Sequence, residues 1–115
     1  MSFIYNPTVD QGATWSLEVE YLDNNDVPIN LTGYTGEMQL RTDYSDATAD
    51  LTLSSANGGI VINGAAGKVL VTITAAQSRA LPQSFYLYDL ELTSGANVIR
   101  LIQGQITVAG EVTRD

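Results

Sequence analysis

Neither cysteine nor histidine occurs among the 115 residues. Without cysteine, no disulfide or thiolate metal site can hold the fold, and thiol chemistry is excluded. Without histidine, the commonest general base, the commonest zinc ligand and the natural sensor of neutral pH are missing. Positive charge is scarce as well: five Lys and Arg stand against thirteen Asp and Glu, for a formal net charge of −8. Arg41, Lys68, Arg79, Arg100 and Arg114 are scattered along the chain. Nucleic-acid affinity comes largely from clustered cations displacing counterions, so no nucleic-acid partner is expected. The acidic balance also disfavours an anionic membrane surface. No stretch approaches the length of a membrane span, and Met1 to Tyr5 lack the basic start and apolar run of a secretory signal. The expectation is a product that folds in the cytoplasm of the cell that makes it.

What is present is a strand pattern. Trp15, Leu17, Val19 and Tyr21 alternate with Ser16, Glu18 and Glu20, the signature of a half-buried strand. Asp23, Asn24, Asn25 and Asp26 form a dense turn signal. A second strand is predicted from about Tyr34 to Thr42, with Met38 and Leu40 on one face. Asp43 to Asp50 is small, polar and acidic and reads as a loop. Leu51 to Leu53 and Ile60 to Ile62 flank the Asn57, Gly58, Gly59 turn, which reads as hairpin punctuation, and Asn63 to Gly67 is a further glycine-rich turn. Lys68 to Thr74 is again a strand. Thr74 with Gln77 has capping-box spacing and Pro82 forbids continuation, so one or two helical turns are expected over Thr74 to Leu81.

Phe85 to Thr93 and Val98 to about Val108 form a strong hairpin joined by Ser94 to Asn97. Pairing Thr93 with Val98 sets Glu91 opposite Arg100 on a wet face and Leu90 and Leu92 against Leu101 and Ile99 on a dry one. Farther along, Ile102, Ile106 and Val108 share the parity of Arg100. Either a bulge at Gln103 or Gly104 returns them to the core, or that face is covered by another chain.

No reaction can be read from the residues. Glu18 with Glu20, and Asp89 with Glu91, are paired carboxylates on single strands and read as solvated faces. Asp23, Asn24 and Asp26, or Asp43, Asp46 and Asp50, are oxygen-rich enough for calcium but do not match an EF-hand loop and read as turn and loop chemistry. Trp15, Tyr21, Tyr34, Tyr86 and Tyr88 offer rings for a sugar face; Trp15, Tyr86 and Tyr88 alternate in step with aliphatic neighbours and are assigned inward. The expectation is no enzyme, no cofactor, no metal and no small-molecule ligand. Residues 1–11, with Phe3, Ile4 and Tyr5 ahead of Pro7, are an N-terminal arm that adds to a neighbouring chain or an edge strand of the domain itself. Residues 12–115 are one domain. Regularly spaced short strands with one helical turn predict an all-β Greek-key β-sandwich or a small barrel. The interface candidates are Phe3, Ile4, Tyr5, Ile102, Ile106 and Val108.

Three segments carry a family resemblance: "GATWSLEVEYLDNNDVPINLTGYTGEMQLR", "AAGKVLVTITAAQSRALP" and "YLYDLELTSGANVIRLIQGQITVAGEVTR". Together they span Gly12 to Arg114 and resemble small β-sandwich proteins of tailed-bacteriophage virions, in the style of the N-terminal domains of baseplate and receptor-binding-assembly proteins. The resemblance implies an immunoglobulin-like sandwich acting as a structural module. It also implies assembly in the host cytoplasm, location in the virion, and packing against other virion proteins and itself, with a trimer favoured. Its matching motifs are turns and strands, so no binding residue carries over. Such domains often open longer fibre proteins, whereas this sequence ends at Asp115; the expected roles are a tail or fibre adaptor, a baseplate component or a capsid decoration protein. A carbohydrate-binding β-sandwich module is the alternative.

Overall fold

A computed structural model describes residues 3–42, 49–81 and 85–110. The described residues are all-β apart from one short helix. Its strands are β1 (Phe3–Ile4), β2 (Thr8–Asp10), β3 (Trp15–Glu20), β4 (Thr35–Arg41), β5 (Leu51–Ser54), β6 (Ile60–Asn63), β7 (Lys68–Ile73), β8 (Phe85–Ser94) and β9 (Asn97–Ala109), with helix α1 (Ala75–Ala80) between β7 and β8. They form two sheets. The larger has the order β1-β9-β8-β4-β5, with β2 also on β9, and the smaller has the order β3-β7-β6. Alternation places Met38, Leu40, Leu53, Tyr86, Tyr88, Leu90 and Leu92 of the larger sheet against Val69, Val71, Ile73 and Ile60 of the smaller, all buried in one core. Each fully buried aliphatic side chain contributes about 1.5–3 kcal/mol.

The helix forms where the capping box predicts it. The Thr74 hydroxyl accepts from the Gln77 N–H at 3.1 Å, and the Gln77 side chain accepts from the Thr74 N–H at 2.9 Å. Two orphan donors are thus satisfied reciprocally. Pro82, the expected stop, lies outside the described residues.

The hairpin of β8 and β9 keeps the expected pairs Thr93 with Val98 and Glu91 with Arg100, and it contains a bulge. Leu90 pairs with Ile102 instead of Leu101, so Leu101 is the extra residue, ahead of the Gln103 or Gly104 positions suggested by sequence. The pleat shifts by one residue there. Leu101 and Ile102 are therefore both buried although consecutive, and Ile106 and Val108 follow Ile102 inward.

The N-terminal segment lies along β9 within its own chain. Phe3 pairs in parallel with Ile102 and Thr8 with Thr107. Between them one ladder link is rebuilt by side chains. The Tyr5 carbonyl turns inward to accept from the Tyr88 hydroxyl at 2.6 Å, and Asn6 Oδ1 accepts from the Gln105 N–H at 3.0 Å. This crossing needs Gly104, where a Cβ would collide with the Tyr5 carbonyl oxygen.

One sequence expectation is corrected. The segments on either side of Asn57 to Gly59 do not form a hairpin: β5 pairs with β4, and β6 pairs with β7. The turn carries the chain from one sheet to the other. The Asn63 to Gly67 turn does close a hairpin, β6 to β7. It is tied to the long connection after β3: a Cβ on Gly67, which has φ +64°, would lie 2.6 Å from the Ile29 carbonyl oxygen.

Candidate interaction surfaces

Two sheets stacked in this way have two lateral margins. One is built from β2 and β3, with the chain crossing between the sheets at residues 11–14. The other is built from β5 and β6, with the crossing at residues 55–59. Each crossing is pinned by a side chain. Ser78 of α1 is fully buried; its hydroxyl accepts from the Gly12 N–H at 2.9 Å and donates to the Ala13 carbonyl at 2.8 Å. Gln11 Nε2 reaches the Leu81 carbonyl at 2.6 Å. At the other margin, Asn57 Oδ1 accepts from the Ser54 and Gly59 N–H groups, both at 2.9 Å, and Nδ2 donates to the Thr52 carbonyl at 3.0 Å. Small polar residues at such bends satisfy backbone groups that leave one ladder before joining another.

The margins differ in charge. Asp10, Glu18 and Glu20 are exposed on the first. The second, from Leu51 to Gly67, contains no charged residue. There Val61 is 56% exposed and faces Leu70, 38% exposed, across the ladder. Sequence reasoning missed this surface. Its signal was available as an uncharged run inside a strongly acidic chain.

The outer face of the larger sheet is polar. Glu37, Gln39 and Arg41 of β4 and Leu87, Asp89 and Glu91 of β8 line an open groove of about 200 Å³. Arg100 reaches across from β9 to Glu91 at 3.2 Å and Asp89 at 3.5 Å. Burial raises the Asp89 carboxyl above its ordinary range and Glu91 adds to the rise, while Arg100 and Arg41 oppose it. Asp89 and Glu91 are thus held by a shared cation on a strand face. Glu18 and Glu20 are solvated.

The remaining sequence candidates fall as follows. Asp23 Oδ1 accepts from the N–H groups of Asn25 and Val27, which is turn chemistry. Asp43 and Asp46 lie outside the described residues. Among the described residues no group of three or more acidic side chains is placed to hold a metal ion. Tyr86 and Tyr88 are buried, and Trp15, Tyr21 and Tyr34 pack partly buried against the core. Burial pushes the Tyr88 phenol up to about 12, with Tyr5 adding to the shift, and it raises Tyr86 as well, with Asp50 second. Of the interface candidates, Ile102, Ile106 and Val108 are spent in the core of their own chain, which accounts for the apolar excess of the last strand without a second chain. Ile4 is 73% and Tyr5 44% exposed on the edge strand, and Phe3 joins the ladder through its backbone.

The class defined by this architecture is an all-β protein of two facing sheets. No protein-family model matches the chain, and no match to a curated protein was found. No helix among the described residues is long and apolar enough to cross a membrane.

Proposed function

We propose that the protein is a structural component of a tailed-phage virion that works by packing against other protein chains, its own copies included. The observation that carries the packing role is the second margin: in a chain of net charge −8, one whole side from Leu51 to Gly67 has no charge and leaves Val61 and Leu70 in solvent. Apolar surface rimmed by polar residues is what protein contacts bury. The phage assignment rests on the resemblance of the three segments between Gly12 and Arg114. That resemblance favours a trimer and a place in the tail, baseplate, fibre attachment or capsid surface, with assembly in the host cytoplasm.

The finer fold belongs to the same proposal. The order β9-β8-β4-β5 facing β3-β7-β6 supports the reading of a Greek-key immunoglobulin-like sandwich, of variable type without its C″ strand. The first strand differs from the constant-type arrangement, lying in parallel beside the last strand instead of beside the second. A carbohydrate-binding module is the second reading. The groove over β4 and β8 offers it carboxylate, amide and guanidinium groups, but Tyr88, the aromatic in its lining, is buried and presents no ring to a pyranose.

The test is co-sedimentation of purified protein with virions and sub-assemblies, with proteomics of the intact particle. Recovery in a defined part of the particle is the expected outcome. A protein that is monomeric at high concentration and binds no virion component would overturn the proposal. Glycan binding lost on replacing Gln39 or Glu91 would promote the alternative.

A further inference from the structure

Residues 3–10 lie along β9 and not along β3, so the smaller sheet ends at β3 with three strands. What that edge presents follows from its ladder. The Tyr21 N–H bonds the Gly67 carbonyl at 2.8 Å, and bonded pairs recur at every second residue of an antiparallel ladder, so Val19–Val69, Leu17–Val71 and Trp15–Ile73 are the next ones. The N–H and C=O groups of Ser16, Glu18 and Glu20 therefore point away from β7, and all three residues are exposed.

The two faces of this edge differ in chemistry. Glu18 and Glu20 share the outer face of the smaller sheet with Ser16; Lys68 stands opposite Glu20, whereas Leu70, opposite Glu18, offers no charge. Trp15, Leu17 and Val19 turn to the inner face, where they pack against the core yet stay only partly buried. A second copy of β3 would set carboxylate against carboxylate, which opposes pairing. A strand with cations on one face and aliphatic side chains on the other suits both faces at once.

Resting on the packing role proposed above, we propose that the β3 edge receives an extended segment of a partner protein, with Lys or Arg at alternate positions beside Glu18 and Glu20 and aliphatic residues between them. Backbone bonds to Ser16, Glu18 and Glu20 hold the segment, and its side chains select it. The strand period of two sets its cations on the carboxylate face and its aliphatic groups beside Leu17 and Val19. The smaller sheet thereby gains a fourth strand. Exposed cross-strand ion pairs each add little, so a short segment binds weakly and in a salt-sensitive way.

The test uses the whole chain and the end-blocked peptide Lys-Val-Lys-Val-Lys-Val-Lys. Titrated to about 5 mM at low salt, the peptide should slow amide exchange at Ser16, Glu18 and Glu20. N-methylation of its lysines keeps the charge, removes the backbone donors and should abolish that protection. Replacing its lysines by glutamates should abolish it too. Glu18→Lys should weaken binding about threefold or more. Its urea midpoint should stay near that of the wild type, because Glu18 is exposed. No protection along β3, equal binding of the N-methylated or glutamate peptide, or undiminished binding to Glu18→Lys would overturn the strand addition. A wild type that takes no peptide yet co-sediments with virions would overturn the edge site and leave the packing role standing; failure of both would remove both.

Discussion

The two margins solve one mechanical problem in opposite ways. Each carries the chain from one sheet to the other, and each exposes the edge of a strand. The margin of β2 and β3 anchors its crossing on the buried Ser78 and guards its edge with Asp10, Glu18 and Glu20. The margin of β5 and β6 anchors its crossing on Asn57, which also bonds the Thr52 carbonyl and the Ser54 N–H of β5, and carries no charge from Leu51 to Gly67. Exposed edges template pairing unless charge, shortness or a cover prevents it.

Both margins depend on one core, and the most damaging change strikes there. Ile106 is fully buried. Ile106→Asp should cost more than about 4 kcal/mol and leave the chain unfolded by circular dichroism. A variant that folds but no longer assembles would instead place Ile106 between chains.

Next come the two anchors. Ser78→Ala and Asn57→Ala should each cost about 1–3 kcal/mol in urea unfolding, since each strands backbone groups at a bend. They should differ in amide exchange. Protection should fall at Gly12 in the first variant and at Ser54 and Gly59 in the second. Loss of protection at both margins in either variant would mean that the crossings are not independent.

The N-terminal edge strand is held by Tyr88, which gives the first margin a pH dependence. The Tyr88 pKa is raised in the folded state to about 12 from 10.0. Its contribution is therefore complete below pH 10, where both states are protonated. It declines as the unfolded state ionises first and is gone above pH 12, a loss of up to about 3 kcal/mol. Tyr88→Phe should cost about 1 kcal/mol near neutrality and flatten most of the alkaline decline; the remainder belongs to Tyr86, whose pKa is also raised. An unchanged alkaline profile would contradict the assignment. The smallest effect is expected on the polar outer face: Arg100 is half exposed, and Arg100→Ala should change stability by less than about 1 kcal/mol.

Much of the local structure was legible. The alternation of Trp15, Leu17 and Val19 marks β3, Thr74 with Gln77 marks the helix start, and the turn of Ser94 to Asn97 sets Glu91 against Arg100. The parity conflict at Ile102, Ile106 and Val108 also signals a bulge, though not its position. Placing it at Leu101 requires knowing that Leu90 prefers Ile102 as its partner. Leu51 to Leu53 and Ile60 to Ile62 looked like two arms of a hairpin because a glycine turn separates them. A glycine turn permits a reversal and equally permits a change of sheet.

The interaction surface was legible only as a run without charge. That Val61 faces solvent while Ile60 enters the core follows from the alternation of β6, but that Val61 lies beside Leu70 depends on the pairing of β6 with β7. By itself, the sequence determined that this is an acidic all-β chain with inward Tyr86 and Tyr88, one capped helical turn, and stability drawn from packing, without disulfides. Those properties follow from composition and from periods of two or four residues, which neighbouring positions encode alone. The tertiary structure decided that residues 3–10 run parallel to β9, that β5 and β6 belong to different sheets, and that one margin is acidic while the other carries no charge. Strand partners are far apart in the chain, and their choice is settled by how two sheets bury one core.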